Sequence, residues 1–153
     1  MIFESCCFTG HRKIDGDISD IERKVRKEVV TLISRGVKIF YCGGAIGFDM
    51  LCGKIILDIK KAFPSVKLYL ALPCTDQNKY YSDSENADYE LLKNGSDKIY
   101  YASDHYTKGC MHLRNRFMVD SSNYVISYCT KNSGGTFYTL KYATEKGREI
   151  ISI

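Results

Sequence analysis

Three short segments put glycine where a backbone can come up against a phosphate. In "FTGHRK" (8–13), Thr9 and Gly10 are followed at once by His11 and Arg12. "CGGAIGFD" (42–49) carries Gly43, Gly44, Ala45, Gly47 and Asp49, and "NSGGTF" (132–137) carries Gly134, Gly135 and Thr136. Glycine offers no Cβ to hold a ligand away, and amides at the start of a helix attract anions through the positive end of its dipole. One such loop alone is most often only a turn. Repetition at equivalent strand ends shifts the balance toward anion binding. Asp49 fits two duties, complementing the start of its helix or accepting from a ribose hydroxyl.

"MHLRNRFM" (111–118) sets two arginines and an asparagine among apolar residues. On a helix, Met111, Asn115 and Met118 share one stripe and Cys110, Leu113 and Phe117 the next, with Arg114 at their border. An arginine can lay its stem on a helix and reach water. This one lies just before the strand that leads into the third glycine loop, so its guanidinium is expected to grip an anion there with paired hydrogen bonds. On that reading its removal leaves the unliganded protein's stability nearly unchanged. Cys110 and His112 make a poor metal pair without two further ligands, and no metal is expected. Tyr80 and Tyr81 could lie against a base.

The elements that must position these residues follow from periodicity. Strand-length apolar runs at 2–8, 37–42, 66–72, 98–102, 124–129 and 149–153 alternate with helical segments at 19–36, 48–63, 76–93, 109–121 and 136–146. Ser19 and Glu22 have the spacing of a capping box. This alternation predicts a single doubly wound α/β domain over residues 1–153, with a mainly parallel sheet, helices on both faces and a Rossmann-like arrangement. Ligands of such sheets bind beyond the carboxyl ends of the strands, where the three loops fall.

Composition narrows the function classes. The 153 residues suit one domain, and the formal charge of +4 is mild because "ERKVRKE" carries its own glutamates. Charge alone makes no case for nucleic acid. Seven cysteines without a C-x-x-C pair, no signal-like start and no long apolar run lead to the expectation of a soluble cytoplasmic protein with no membrane partner.

"TGHR", "GGAIGFD", "MHLRNRFMVDSS" and "GGT", in this order and spacing, resemble the SLOG superfamily, specifically its small bacterial YpsA-like branch, over nearly the whole chain. The resemblance implies a Rossmann-like fold that binds nucleotides or nucleotide-derived ligands such as ADP-ribose, with Gly43, Gly44, Gly47, Arg114, Gly135 and Thr136 as contacts. Together with the loop and helix readings, the candidate set is Thr9, Gly10, His11, Arg12, Gly43, Gly44, Ala45, Gly47, Asp49, Arg114, Asn115, Met118, Gly134, Gly135 and Thr136. The LOG phosphoribohydrolases of the superfamily carry a similar M-H-x-R helix and a glutamate shortly after the loop threonine. Here Thr136 is followed by Phe137, Tyr138 and Thr139. Without that carboxylate, hydrolysis of an N-glycosidic bond needs a substitute such as Asp49 or Asp120. Binding or sensing of a nucleotide ligand, with no other cofactor required, is therefore the expected function, acting through a partner or a conformational change, the partner being a second copy of the chain or another protein. A nucleoside-phosphate or ADP-ribose-type hydrolase is the alternative. A single-strand DNA-binding module, as in related DNA-processing proteins, comes last because the charge is dispersed, and nucleic acid is not expected as a partner.

Overall fold

The structure, a computed structural model, describes residues 4–153. Its elements run β1 (Ser5–Gly10), α1 (Ile18–Ser34), β2 (Ile39–Cys42), α2 (Phe48–Ile59), β3 (Lys67–Leu72), α3 (Asp83–Gly95), β4 (Lys98–Tyr101), α4 (Cys110–Asp120), β5 (Tyr124–Tyr128), α5 (Gly135–Glu145) and β6 (Glu149–Ser152). The strands form one parallel sheet in the order β4-β3-β2-β1-β5-β6. This is the doubly wound, Rossmann-like α/β class read from the alternation of elements. The start of the expected first strand, residues 2 and 3, lies outside the described residues.

Side-chain alternation along each strand divides the core. Cys6 and Phe8 on β1, Phe40 and Cys42 on β2, and Leu68, Leu70 and Leu72 on β3 pack on the face covered by α1, α2 and α3. Cys7, Tyr41, Ala71 and Val125 point to the opposite face, where Met118 and Val119 of α4 and Ala143 of α5 meet them. Both faces are covered, which is why the strands read as continuous apolar runs. The direction of winding reverses between β1 and β5. Gly10 lies opposite Tyr128 in that pair, so the loops that leave β1 and β5 face one another across the switch point.

Two local expectations are corrected. The start of α1 is capped by Asp17, whose carboxylate accepts from the amides of Ser19 and Asp20; Ser19 itself is inside the helix. The reciprocal Ser–Glu box occurs instead at α3, between Ser82 and Glu85. The helix expected over 76–93 therefore begins only at Asp83. Ahead of it, residues 75–80 are turns, tied by the Thr75 hydroxyl to the Asp104 carbonyl and by the Tyr106 amide to Asp76 Oδ1 (3.1 Å). Side chains that bond local backbone compete with helix in this way. Among the described residues, no helix is long and apolar enough to cross a membrane. All seven cysteines are free thiols.

Candidate functional site

A cavity of about 370 Å³ opens at the β1/β5 switch point, at the carboxyl ends of the strands. Thr9, Gly10, His11 and Arg12 form one wall. Ala45 and Asp49 come from the β2–α2 side, Arg114, Asn115 and Met118 from α4, and Gly134, Gly135 and Thr136 from the start of α5. Twelve of the fifteen candidates are thus brought together from four separate segments. Gly43, Gly44 and Gly47 are not among its lining residues.

Those three glycines hold the loops in place. A Cβ on Gly43 would lie 2.5 Å from Arg114 Nη1 and 2.6 Å from Asp49 Oδ2. Gly44 has φ +70 beneath Leu72 and Tyr89, and its carbonyl accepts from the Tyr81 hydroxyl (3.0 Å). Gly47 has φ +84, and its α-carbon backs directly onto the carbonyls of Arg12 and His11. The middle glycine loop thus has a supporting role that the sequence did not show, and it reaches the cavity wall through Ala45 and Asp49.

Arg114 is 5% exposed and sits at the centre of the buried face of α4 with Cys110, Met118 and Val119. Nη1 donates to the Gly43 carbonyl and, at 3.3 Å, to that of Ala71, while Nε donates to Asn115 Oδ1 at 2.7 Å. Nη2 reaches the sulfur of Met111 at 3.7 Å. The expectation that the arginine has no packing role and that Leu113 lies on the packed stripe is therefore corrected. Leu113 is 56% exposed and faces outward, and the arginine ties α4 to β3 and the β2–α2 loop. Of its nitrogens, Nη2 has the weakest acceptor, since a thioether accepts poorly.

Asp49, in the first turn of α2, is 6% exposed and borders the same cavity. Burial pushes its carboxyl up to about 6, against the pull of the Arg114 charge and the amides of Ala45 and Gly43. A carboxyl that exchanges its proton near neutrality suits proton transfer. Asp120, the other candidate base, accepts from the Tyr142 hydroxyl (2.8 Å) and lines a separate groove beside Tyr100 and Phe117. Because the folded-state pKa of Asp49 lies above the ordinary 3.8, its contribution is fully present below about pH 4 and is lost as pH rises through about 6. Asp49→Asn is expected to stabilise the unliganded protein at pH 8 by roughly 2 to 3 kcal/mol, a gain that fades toward pH 4. Urea unfolding of both proteins across that range checks it; a gain independent of pH would show that the carboxyl does not titrate as described.

His11 acts as an acceptor. Its Nε2 takes the Thr130 amide at 2.8 Å, which joins the β1 loop to the β5–α5 loop, and burial together with Lys131 lowers its pKa. Tyr81 is occupied by Gly44 and by edge contact with Tyr89, so it is not free to meet a base. Tyr80 is 89% exposed. Cys110 is buried and His112 exposed, and no metal-binding cluster occurs among the described residues. Lys131, Ser133 and Met111 also line the cavity and were absent from the candidate set. The signal for the first two was adjacency: they sit within four residues of Gly135 in "KNSGG".

Known proteins share the fold and the family of this chain. The chain is 26% identical over 116 residues to the "uncharacterized SPbeta prophage-derived protein YoqJ" of Bacillus subtilis, covering 68% of each. It is 20% identical over 135 residues to a UPF0398 protein of Halalkalibacterium halodurans, covering 86% of this chain and 71% of that one. Among solved structures it superposes on DNA processing protein A of Streptococcus pneumoniae with a TM-score of 0.68 at 19% identity, over 98% of this chain and 50% of that one. The Helicobacter pylori protein of the same name gives 0.67 at 18% identity, over 97% and 64%; its structure is described as showing a single-stranded DNA binding mode. The chain thus spans half of one of these proteins and under two thirds of the other. At such identity the likeness shows the fold alone, yet it overturns the expectation that set nucleic acid aside, since dispersed charge is no ground for exclusion when a protein of this fold binds single strands. The model of the YspA SLOG family matches residues 5–150, nearly every residue that builds the sheet and its loops, and the chain belongs to that family.

Proposed function

We propose that this protein binds or senses a nucleotide or nucleotide-derived ligand, such as ADP-ribose or a nucleoside phosphate, in the cavity at the switch point, with no other cofactor required. Gly135 carries the reading. It lines the cavity in the first turn of α5, needs no positive φ, and a Cβ there would meet nothing within 4 Å. Nothing in the fold asks for glycine at this position, whereas close approach of a phosphate to the helix start does. The Tyr138 amide is the first of α5 to bond back, to the Gly134 carbonyl (3.0 Å), so the amides before it are available to an anion. Arg12, Lys131 and the Nη2 edge of Arg114 supply positive charge around them.

A ligand that binds only the folded state stabilises it by about 2.7 kcal/mol at a hundredfold excess over Kd. A thermal-shift panel of mononucleotides, dinucleotides, ADP-ribose and single-stranded oligonucleotides is expected to show this gain, and Gly135→Asp is expected to cancel it while leaving the unliganded melting curve in place. A flat panel would overturn the proposal. Two further readings have their own support. Asp49, a near-neutral carboxyl on the cavity wall, favours a hydrolase that releases base from a nucleoside phosphate, tested by assaying free base with Asp49→Asn as control. The shared fold with a single-strand-binding protein favours nucleic acid, for which affinity would fall steeply with salt.

A further inference from the structure

We infer that a second cavity, which borders the first at Arg12 and Met111, is a nucleobase-stacking subsite built by Tyr80 and Tyr106. The inference rests on the phosphate-site reading above and deepens it.

The second cavity measures about 500 Å³ and shares Arg12 and Met111 with the loop cavity as common wall. Tyr80 is 89% and Tyr106 64% exposed, so neither ring does much for the core, yet both line this one hollow. They come from different loops that are fastened to each other. The Thr75 hydroxyl and amide both donate to the Asp104 carbonyl, and the Tyr106 amide donates to Asp76 Oδ1. The two loops are thus fastened to each other before any ligand arrives, which lowers the ordering cost of binding. Lys79 Nζ lies 5.5 Å from the centre of the Tyr80 ring.

Charge decides which part of a ligand goes where. The loop cavity has the helix start with Arg12, Lys131 and Arg114 against the single carboxyl of Asp49, whereas in the tyrosine cavity the Asp76 carboxylate, held ionised by the Cys74 thiol and nearby amides, offsets Lys79, and two exposed rings make up much of the wall. A phosphate is favoured in the first and a flat, neutral ring in the second. Exposed aromatic rings beside cations are the usual platform for stacking a base. The recognised chemistry is a nucleobase carried one spacer away from a phosphate. A free ligand of the ADP-ribose or dinucleotide type supplies it, and so does a single strand of nucleic acid.

The test compares wild-type protein with Tyr80→Ala/Tyr106→Ala by titration with ADP-ribose, ribose 5-phosphate and a short single-stranded oligothymidylate. Loss of two stacking partners is expected to weaken the base-bearing ligand by about 10- to 100-fold. Ribose 5-phosphate, which has no base, is expected to bind both proteins equally, and Tyr80→Phe/Tyr106→Phe to retain most of the affinity. A loss seen with ADP-ribose assigns the subsite to a small ligand; a loss seen with the oligothymidylate assigns it to a strand. Unchanged affinity of every base-bearing probe in the alanine variant overturns the subsite and leaves the phosphate site standing. No binding of any probe to wild-type protein overturns both.

Discussion

Arg114→Ala is expected to destabilise the unliganded protein by about 3 to 5 kcal/mol, the range for breaking a buried charged network. The side chain is 5% exposed and satisfies the carbonyls of Gly43, in the loop that leaves β2, and of Ala71, near the carboxyl end of β3. Removing it strands both acceptors and leaves Asp49 without the positive charge that draws its carboxyl down. This reverses the expectation drawn from the helix stripe, under which the unliganded protein would hardly notice the loss. Arg114→Lys should recover only part of the stability, since an ammonium cannot reach the carbonyls, Asn115 and the cavity at once. Arg116→Ala is the comparison: its guanidinium is exposed and rests 5.4 Å from the centre of the Tyr142 ring, so its loss should cost about 0.5 to 1 kcal/mol. Urea unfolding of the three variants at neutral pH separates the cases, and an Arg114→Ala midpoint no lower than that of Arg116→Ala would show that the arginine is not structural. Asp49→Asn should recover more stability in the Arg114→Ala background than it gains in the wild type, because it removes the charge that the loss of the arginine left alone.

Gly47→Ala is expected to cost about 4 kcal/mol or more, enough to leave little folded protein. At φ +84 an L side chain is already strained, and the new Cβ would lie 2.6 Å from the His11 carbonyl oxygen and closer still to that of Arg12. Both obstacles are backbone, so no rotamer change relieves them. The loops after β1 and β2 would have to part, breaking the bond from the Phe48 amide to the His11 carbonyl (3.1 Å). Gly135→Ala, with open space around its Cβ and no positive φ, should melt like the wild type. Equal stability of Gly47→Ala and Gly135→Ala would contradict the supporting role given to the middle loop.

The contrast between those two glycines shows where sequence reading ends. The order of strands and helices, the parallel doubly wound class and the position of the glycine segments at strand ends were legible because periodicity is local: a strand alternates every second residue and a helix every three to four. The lower limit of legibility was the helix start. Asp17 rather than Ser19 caps α1, and Ser82 rather than a residue near 76 opens α3, because several nearby polar side chains compete for the same few amides.

What each loop residue faces was decided by the tertiary structure. Gly47 and Gly135 look alike in the sequence, but the loop after β1 passes behind the first and open space lies before the second. Arg114 reads as a helix-border arginine until the sheet brings Gly43, 71 residues earlier, against its guanidinium. Tyr80 and Tyr106 were 26 positions apart in polar segments with nothing to link them until the Asp76 and Asp104 bonds drew their loops together. The chain alone specifies its elements through neighbours a few residues apart; a site assembled from three loops and a helix depends on strand order and register, and those are set by long-range packing of the whole sheet.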